Sequence, residues 1–220
     1  MGPDKERPVE NTCRIVKGLD AVWTHLCPSK PCLPLSIDGK LLFEHNCKED
    51  PSVPFSLIPR GFYNSVSDLD PQVLAAKGIR LVLADLDNTL VPYKVLTPAP
   101  EVADWIAGLK QAGIQLFLLS NSRKPGRAQQ FAQSVGIPYQ GHSGKPKRGG
   151  YLRAMERMGC TPGQTVMVGD QIFTDVLGAN RSGVTPLLIR PIRLAGNPGR
   201  YLRYWGETPF RLLGKRRPFL

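Results

Sequence analysis

The stretch Ile79–Thr89, IRLVLADLDNT, decides the fold class that the sequence predicts. Its residues 81–84 are all apolar, which is typical of a short parallel strand buried on both faces. Asp85 and Asp87 follow the strand at its carboxyl end, where open α/β sheets bind ligands. Two carboxylates two residues apart point to the same side of an extended chain, and a divalent cation relieves their mutual repulsion. Taken alone, these residues fit an ordinary Asp-Asn turn equally well.

Two further apolar segments, residues 115–119 and 165–168, are also predicted to be buried strands. Polar side chains follow both segments, and a Gly-rich connection between them carries a lysine. Because the carboxyl ends of parallel strands meet at one edge of a sheet, we expect these groups to lie near the first carboxylate pair. Carboxylates, a hydroxyl and a cation together predict a site for a phosphate group and Mg²⁺. The additional candidates are Ser120, Asn121, Lys145, Asp170 and Asp175.

The order of these motifs resembles that of the haloacid dehalogenase (HAD) superfamily of phosphotransferases. That superfamily has the motifs D-x-D-x-T, a strand-end Ser or Thr, a Lys and G-D-x-x-x-D, and all four match here. More narrowly, residues 169–180 (GDQIFTDVLGAN), the Ser-Asn-Ser of 120–122 and Lys145-Pro146 are similar to the YqeG-type subclass IIIA phosphatases. Phosphatidylglycerophosphate phosphatases are similar to this group. The resemblance extends from roughly residue 55 to about residue 192.

The resemblance implies a role for each carboxylate. Asp85 would be the nucleophile that forms an aspartyl-phosphate, and Asp87 would be the general acid and base. Asp85, the backbone carbonyl of Asp87 and Asp170 would hold Mg²⁺, since all three offer hard oxygen ligands. Asp175 would contact the metal through water or hold Lys145. The implied cofactor is therefore Mg²⁺, and the implied substrate is a phosphate monoester.

The same resemblance assigns Thr89, Ser120, Asn121 and Lys145 to phosphate binding. Ser120 would offer its hydroxyl and strand-end amides to a phosphate oxygen, and Lys145 would add a point charge beside the nucleophile. Thr89 is expected to form a hydrogen bond near the nucleophile and to be more structural than chemical. Lys147 competes with Lys145 for its role, and we favour Lys145 because the family motif is Lys-Pro.

Predicted strands and helices alternate along the chain. Helices are expected over residues 70–78, 100–112, 124–136, 148–158 and 174–181, and a further strand over 185–189. This alternation predicts a Rossmann-like α/β fold, a parallel sheet flanked by helices, with Trp105 in its core. Only 35 positions separate Asp85 from Ser120, and 25 separate Ser120 from Lys145. Each interval holds little more than one helix, so no inserted cap domain is expected and the site should be open.

Composition sets further limits on the function. The 220 residues are 41% hydrophobic, which is enough for one α/β core, and no apolar run reaches the length of a membrane span. The charged N-terminus argues against a signal peptide. Five cysteines, an odd count, predict reduced thiols and a cytoplasmic protein. Cys27 and Cys32 with their neighbours suggest zinc, but their spacing is looser than that of established zinc pairs.

The net charge of +11 is concentrated late in the chain, since residues 190–220 carry eight basic side chains and one acidic side chain. Aromatic and leucine side chains interleaved with arginines predict a peripheral segment on an anionic membrane surface, with a helix packed on the domain as the alternative. We therefore expect an N-terminal extension (1–53), a HAD phosphatase domain (54–192) and a basic tail (193–220). The expected lipid contacts are Arg200, Arg203, Arg211, Lys215, Arg216 and Arg217.

These observations favour a Mg²⁺-dependent phosphatase that converts phosphatidylglycerophosphate to phosphatidylglycerol at the inner face of the membrane. A phosphatase of soluble sugar or nucleotide phosphates is the alternative enzyme. A nucleic-acid-binding or scaffold protein that uses the basic tail is an alternative of another class. The presence of Asp85 and Asp170 disfavours that class, and nucleic acid is not the expected partner.

Overall fold

The computed structural model describes residues 55–93, 95–122, 126–193, 198–215 and 219, and the backbone of 35–37 and 40–42. In the helix that begins at residue 198, side chains are described for 204–213. Residues 1–50 form a separate unit, in which β1 (Leu35–Ile37) and β2 (Lys40–Leu42) pair antiparallel. The rest of the predicted N-terminal extension, including the cysteines of the zinc hypothesis, lies outside the described residues.

Residues 51–220 contain a six-stranded parallel sheet. Its strands are β3 (Gly61–Tyr63), β4 (Leu81–Ala84), β5 (Gln115–Leu119), β6 (Tyr139–Gln140), β7 (Thr165–Gly169) and β8 (Thr185–Ile189). They lie in the order β3-β8-β7-β4-β5-β6. The chain runs outward from β4 through β5 and β6, and then returns to place β7 on the other side of β4. Sheets of this kind bind ligands where the strand order reverses, which here is between β4 and β7.

Six α-helices are described: α1 (Pro71–Ala76), α2 (Pro100–Gln111), α3 (Arg127–Val135), α4 (Arg148–Met158), α5 (Leu177–Arg181) and α6 (Pro198–Lys215). The Asp70 side chain caps α1 by accepting from the amide of Gln72 at 2.8 Å. The predicted start of α3, at residues 124 and 125, lies outside the described residues. The helix predicted over 174–181 instead begins as a π-helical turn at Ile172–Val176 and continues as α5.

Helices cover both faces of the sheet. Alternate residues of β4 therefore pack in two different hydrophobic cores, one on each face. Val82 packs in one core with Trp105 of α2, and Leu83 packs in the other with Tyr151 of α4. All four residues of β4 are buried, which confirms the prediction of a strand buried on both faces. Trp105 is buried as predicted, and its indole nitrogen donates to the carbonyl of Leu69 at 2.8 Å.

The connections around the predicted site are short. Among the described residues, the chain between β4 and β5 forms only α2, and the chain between β5 and α4 forms only α3 and β6. The predicted α/β fold, a parallel sheet flanked by helices, is confirmed. In the part of the chain that the structure describes, none of the helices has the length and apolar character needed to cross a bilayer.

The basic tail contains α6, which packs against β3 and the π-helical turn. The expectation that Arg211 contacts lipid is wrong, because this residue is only 4% exposed. Its guanidinium pairs with Glu207 of the same helix instead. The other basic side chains of the expected lipid contacts, at positions 200, 203, 215, 216 and 217, lie outside the described residues.

Candidate active site

The chain turns sharply after β4, through residues 85–91. The amide of Val91 donates to the carbonyl of Leu86 at 3.2 Å, and the amide of Asn88 donates to the carbonyl of Val91 at 2.7 Å. Asn88 has a φ of 66°, in the left-handed region that asparagine tolerates better than most residues. The local Asp-Asn turn is therefore present.

Asp85 lies at the carboxyl end of β4 and is 7% exposed. Its amide donates to the carbonyl of Val168 in β7 at 2.9 Å, which places it at the reversal of strand order. Its Oδ1 lies 2.6 Å from Nζ of Lys145, and the same Nζ lies 2.8 Å from Oδ1 of Asp175. Lys145 thus bridges two buried carboxylates, at the place where the sequence predicted the nucleophile and its neighbouring cation.

The electrostatics of this cluster follow from burial and pairing. Burial alone lowers the pKa of Lys145, but the charges of Asp175 and Asp85 outweigh it and raise this pKa above its usual value. Burial raises the pKa of Asp175 to about 6, and Asp85 acts in the same direction, although Lys145 opposes both. The pKa of Asp175 therefore stays above its usual value even beside Lys145.

A third carboxylate joins the cluster. Asp85, Asp170 and Asp175 are buried, and each presents a carboxylate oxygen within 4.8 Å of the others. Lys145 forms ion pairs with two of them, Asp85 and Asp175. Hard oxygen ligands that converge in this way suit Mg²⁺, so the residues present fit the cofactor that the sequence predicted.

Asp87 points to a different partner, which the sequence reasoning missed. Nε of Arg127, the first residue of α3, donates to Oδ1 of Asp87 at 2.8 Å. Nη2 of Arg127 donates to the carbonyl of Pro92 at 3.2 Å and to that of Val95 at 2.8 Å. Arg127 therefore forms hydrogen bonds both with Asp87 and with the loop that follows Asp87.

The polar residues after β5 form hydrogen bonds with the loop of residues 143–145, which carries Lys145. Nδ2 of Asn121 donates to the carbonyl of Lys145 at 2.8 Å. Oδ1 of Asn121 accepts from the amide of Lys145 at 2.9 Å and from the hydroxyl of Ser143 at 2.8 Å. Ser120 is 2% exposed, and its Oγ accepts from the amide of Ser122 at 3.1 Å. The Asn121 side chain thus positions Lys145, and phosphate binding by Ser120 and Asn121 stays a prediction.

Two other candidates occupy different surroundings. Thr89 is 2% exposed, and its hydroxyl has no hydrogen-bond partner among the described residues, so the expected bond near the nucleophile is not found there. Lys147, the competitor of Lys145, is exposed at the residue that precedes α4. Of these two lysines, the buried Lys145 is the one that contacts Asp85.

Backbone space at the end of β7 is limited. A Cβ placed on Gly169 would overlap the carboxyl group of Asp175. The close approach of β7 to the π-helical turn therefore requires a residue without a side chain, and it brings the carboxylates after β7 into the cluster.

Comparison with known proteins agrees with this arrangement. A family model described as haloacid dehalogenase-like hydrolase matches residues 60–183. The probable phosphatase YqeG of Bacillus subtilis is 30% identical over 156 residues, which cover 71% of this chain and 89% of that protein. The chloroplastic phosphatidylglycerophosphate phosphatase 1 of Chlamydomonas reinhardtii is 30% identical over 141 residues, which cover 60% of this chain and 52% of that protein. The match thus spans about half the length of the chloroplastic relative.

Among solved structures, the cobalt-bound deoxy-D-mannose-octulosonate 8-phosphate phosphatase of Haemophilus influenzae is 18% identical with a TM-score of 0.42. That match covers 64% of this chain and 91% of the other. The family model matches more than half of the chain, and the alignment with YqeG spans most of that relative's length. The chain belongs to the haloacid dehalogenase-like hydrolases.

Proposed function

We propose that this protein hydrolyses phosphate monoesters through an aspartyl-phosphate formed on Asp85, with Mg²⁺ as cofactor. The observation that carries the proposal is the cluster of Asp85, Asp170 and Asp175 around Lys145, with Nζ 2.6 Å from Asp85. A buried carboxylate with a cation beside it is a nucleophile placed where a phosphate's negative charge can be neutralised. Asp85, Asp170 and Asp175 would hold the ion together with the carbonyl of Asp87, and bound Mg²⁺ supplies further neutralisation of the phosphate oxygens.

In the first proposed step, a carboxylate oxygen of Asp85 attacks phosphorus and the bond to the ester oxygen breaks. The carboxyl group of Asp87 gives its proton to the leaving oxygen, so that an alcohol departs. In the second step, water attacks the phosphorus of the aspartyl-phosphate and gives a proton to Asp87. The bond to Asp85 breaks, which releases inorganic phosphate and restores both carboxyl groups to their starting states.

The remaining residues bind and orient the phosphate in this proposal. Lys145 and the Ser120 hydroxyl contact its oxygens, and Asn121 keeps Lys145 in place through three hydrogen bonds to the 143–145 loop. Thr89 supports the turn from within the protein. Because charge neutralisation and alignment dominate phosphoryl transfer, these contacts matter as much as the nucleophile itself.

We further propose that the substrate is a lipid phosphate, phosphatidylglycerophosphate, met at an anionic membrane surface to which the protein binds peripherally. The name of the chloroplastic relative supports this substrate. So does α6, whose outward side chains Trp205, Leu212 and Leu213 are 76%, 56% and 45% exposed. Their spacing places them on one face of the helix, with Arg211 turned inward. An apolar helix face within a basic segment is typical of an element that lies on a bilayer.

The test compares two substrates for the wild type and for surface variants. Phosphatidylglycerophosphate in anionic vesicles is one substrate, and p-nitrophenyl phosphate in solution is the other. Trp205→Ser and Leu212→Ser should lower turnover of the vesicle substrate at least tenfold and leave turnover of the soluble ester within twofold. Val73→Ser, which changes a 37% exposed apolar residue in α1, is the matched control and should alter neither rate.

Each result decides a different part of the proposal. If the wild type turns over no phosphate monoester with Mg²⁺ present, the phosphatase proposal fails. If soluble sugar or nucleotide phosphates are hydrolysed faster than the lipid, the substrate is soluble. Equal losses on both substrates for Trp205→Ser would mean that the exposed face of α6 serves the fold rather than the membrane.

A further inference from the structure

A buried ion pair in α6 contacts the loop that carries Asp170. Arg211 is 4% exposed and Glu207 is 1% exposed. Nη2 of Arg211 lies 2.6 Å from Oε2 of Glu207, and the same nitrogen donates to the backbone carbonyl of Asp170 at 2.6 Å. A single guanidinium nitrogen therefore joins α6 to the backbone of a proposed metal ligand.

Glu207 contacts the residues that follow Asp170 in the same loop. Its Oε1 accepts from the amide of Ile172 at 3.0 Å and from the amide of Phe173 at 3.4 Å. These amides open the π-helical turn, where backbone donors have no partners within the turn itself. The ion pair thus forms hydrogen bonds with the loop at the carbonyl of residue 170 and at the amides of residues 172 and 173.

The side chain of Arg211 also contacts an aromatic ring. The guanidinium of Arg211 lies over the ring of Tyr204, with its carbon 4.4 Å from the ring centroid, which restricts its rotation. Apolar residues of similar volume often stabilise a protein as much as a buried ion pair does. What apolar residues cannot supply is directional hydrogen bonding to both ends of a short loop, and this is what Glu207 and Arg211 provide.

The loop that the ion pair contacts carries two residues of the carboxylate cluster. Asp170 supplies one of its oxygens, and Asp175, five residues later, supplies another. The amide of Asp175 donates to the carbonyl of Gln171 at 2.9 Å, and the amide of Gln171 donates to Oδ2 of Asp175 at 3.1 Å. The segment that α6 fixes therefore sets the position of two of the three carboxylates.

We propose that Glu207 and Arg211 are positioning residues that preorganise Asp170 and Asp175 for the metal ion. The inference rests on the proposed function to the extent that Asp170 is taken as a metal ligand. Residues that hold metal ligands from outside the coordination sphere typically change metal affinity by about 10- to 100-fold when they are replaced. Replacement of either residue should therefore weaken metal binding without removing any ligand.

The experiment measures binding of Mn²⁺ alone to the full chain, by electron paramagnetic resonance or calorimetry, without substrate. Arg211→Met removes the donors and keeps most of the volume. Arg211→Lys keeps the charge with a shorter reach, and Glu207→Gln keeps an acceptor without the charge. Gly206→Ala is the matched control, because Gly206 precedes Glu207 in the same helix and an added Cβ there meets nothing within 4 Å.

We expect the dissociation constant for Mn²⁺ to rise about tenfold or more in Arg211→Met and Glu207→Gln, less in Arg211→Lys, and less than twofold in the control. The Mg²⁺ concentration for half-maximal activity should rise in parallel, while kcat at saturating Mg²⁺ changes less than threefold. A residue that only stabilised the fold would lower the melting temperature and leave both metal constants unchanged.

The possible failures are distinguishable. A wild-type protein that binds no Mn²⁺ overturns the proposed metal site together with this inference. Wild-type binding with unchanged affinity in the folded variants overturns the inference alone. If Arg211→Met does not fold, Arg211→Lys and Glu207→Gln decide the matter, because each keeps one polar contact at the buried position.

Discussion

Nε of Arg127 lies 2.8 Å from Oδ1 of Asp87, and this contact joins the start of α3 to the turn after β4. The two side chains are 10% and 18% exposed, so the pair is partly shielded from water. Nη2 of the same arginine also holds the carbonyls of Pro92 and Val95. The orientation of the proposed general acid therefore depends on a residue 40 positions away in the sequence.

We predict that Arg127→Met lowers kcat/KM about tenfold for an alkyl phosphate and much less for p-nitrophenyl phosphate. Proton donation contributes about 10²- to 10⁴-fold to such reactions, and a misplaced Asp87 should lose part of that benefit. The p-nitrophenolate group leaves without a proton, so its kcat/KM depends little on Asp87. Arg127→Lys should lie between the wild type and Arg127→Met. Equal losses on the two substrates would show that Arg127 does not act through Asp87.

We predict that Asp85→Asn abolishes turnover and leaves the fold intact, because an amide cannot attack phosphorus and Lys145 keeps its pairing with Asp175. The measurement is phosphate release, with circular dichroism to verify folding. Asp87→Asn should slow both formation and hydrolysis of the aspartyl-phosphate. A correctly folded Asp85→Asn protein that kept a tenth of the wild-type rate would exclude Asp85 as the nucleophile.

Removal of divalent metal should abolish activity. EDTA should stop phosphate release, and added Mg²⁺ should restore it. Ca²⁺ should restore it poorly, since its larger and looser coordination disturbs in-line alignment. Asp170→Ala should raise the Mg²⁺ concentration needed for half-maximal activity steeply. Full activity in a chelated sample contradicts a metal role for these carboxylates.

We predict that Gly169→Ala reduces both stability and activity. The added methyl group would overlap the Asp175 carboxyl group, and overpacking of this kind typically costs about 1–3 kcal/mol. The displaced carboxylate should also raise the Mg²⁺ requirement, which a titration of activity measures. Gly163→Ala is the matched control, because a Cβ at Gly163 meets nothing within 4 Å. If Gly169→Ala behaves like this control, β7 approaches the π-helical turn less closely than described.

The interior strands could be predicted because burial on both faces leaves an uninterrupted apolar run in the sequence. The strands β4 and β7 are fully buried and were predicted within one residue of their ends. The edge strands β3 and β6 were not predicted, since they are two or three residues long and only partly buried. Such strands form because a neighbour offers backbone partners, and a single sequence carries no mark of that neighbour.

The carboxylates were predictable because each follows a recognisable strand, whereas the residues that hold them were not. Arg127 stands at the start of a helix, where a surface arginine would look the same, and its pairing needs the adjacency of β4 and β5. The expectation that Arg211 contacts lipid was wrong because the number of charges in a segment carries no information on their burial. The signal that could have corrected this is Glu207, four residues earlier, since that spacing pairs opposite charges on a helix.

The strand order determines when each strand of this sheet can meet its neighbours during synthesis. Its first strand, β3, pairs with its last, β8, and β4 lies beside β7, so Asp85 precedes its neighbour Asp170 by 85 positions. At the usual speed of translation, about 5–20 residues per second, that interval lasts roughly 4–17 seconds. During this interval the edge of β4 that later pairs with β7 lacks its partner strand. Unpaired backbone groups on an apolar strand favour aggregation. Among the pairings of this sheet, β4 with β5 is the earliest that translation allows, and it covers one edge of β4 while the other edge waits for β7.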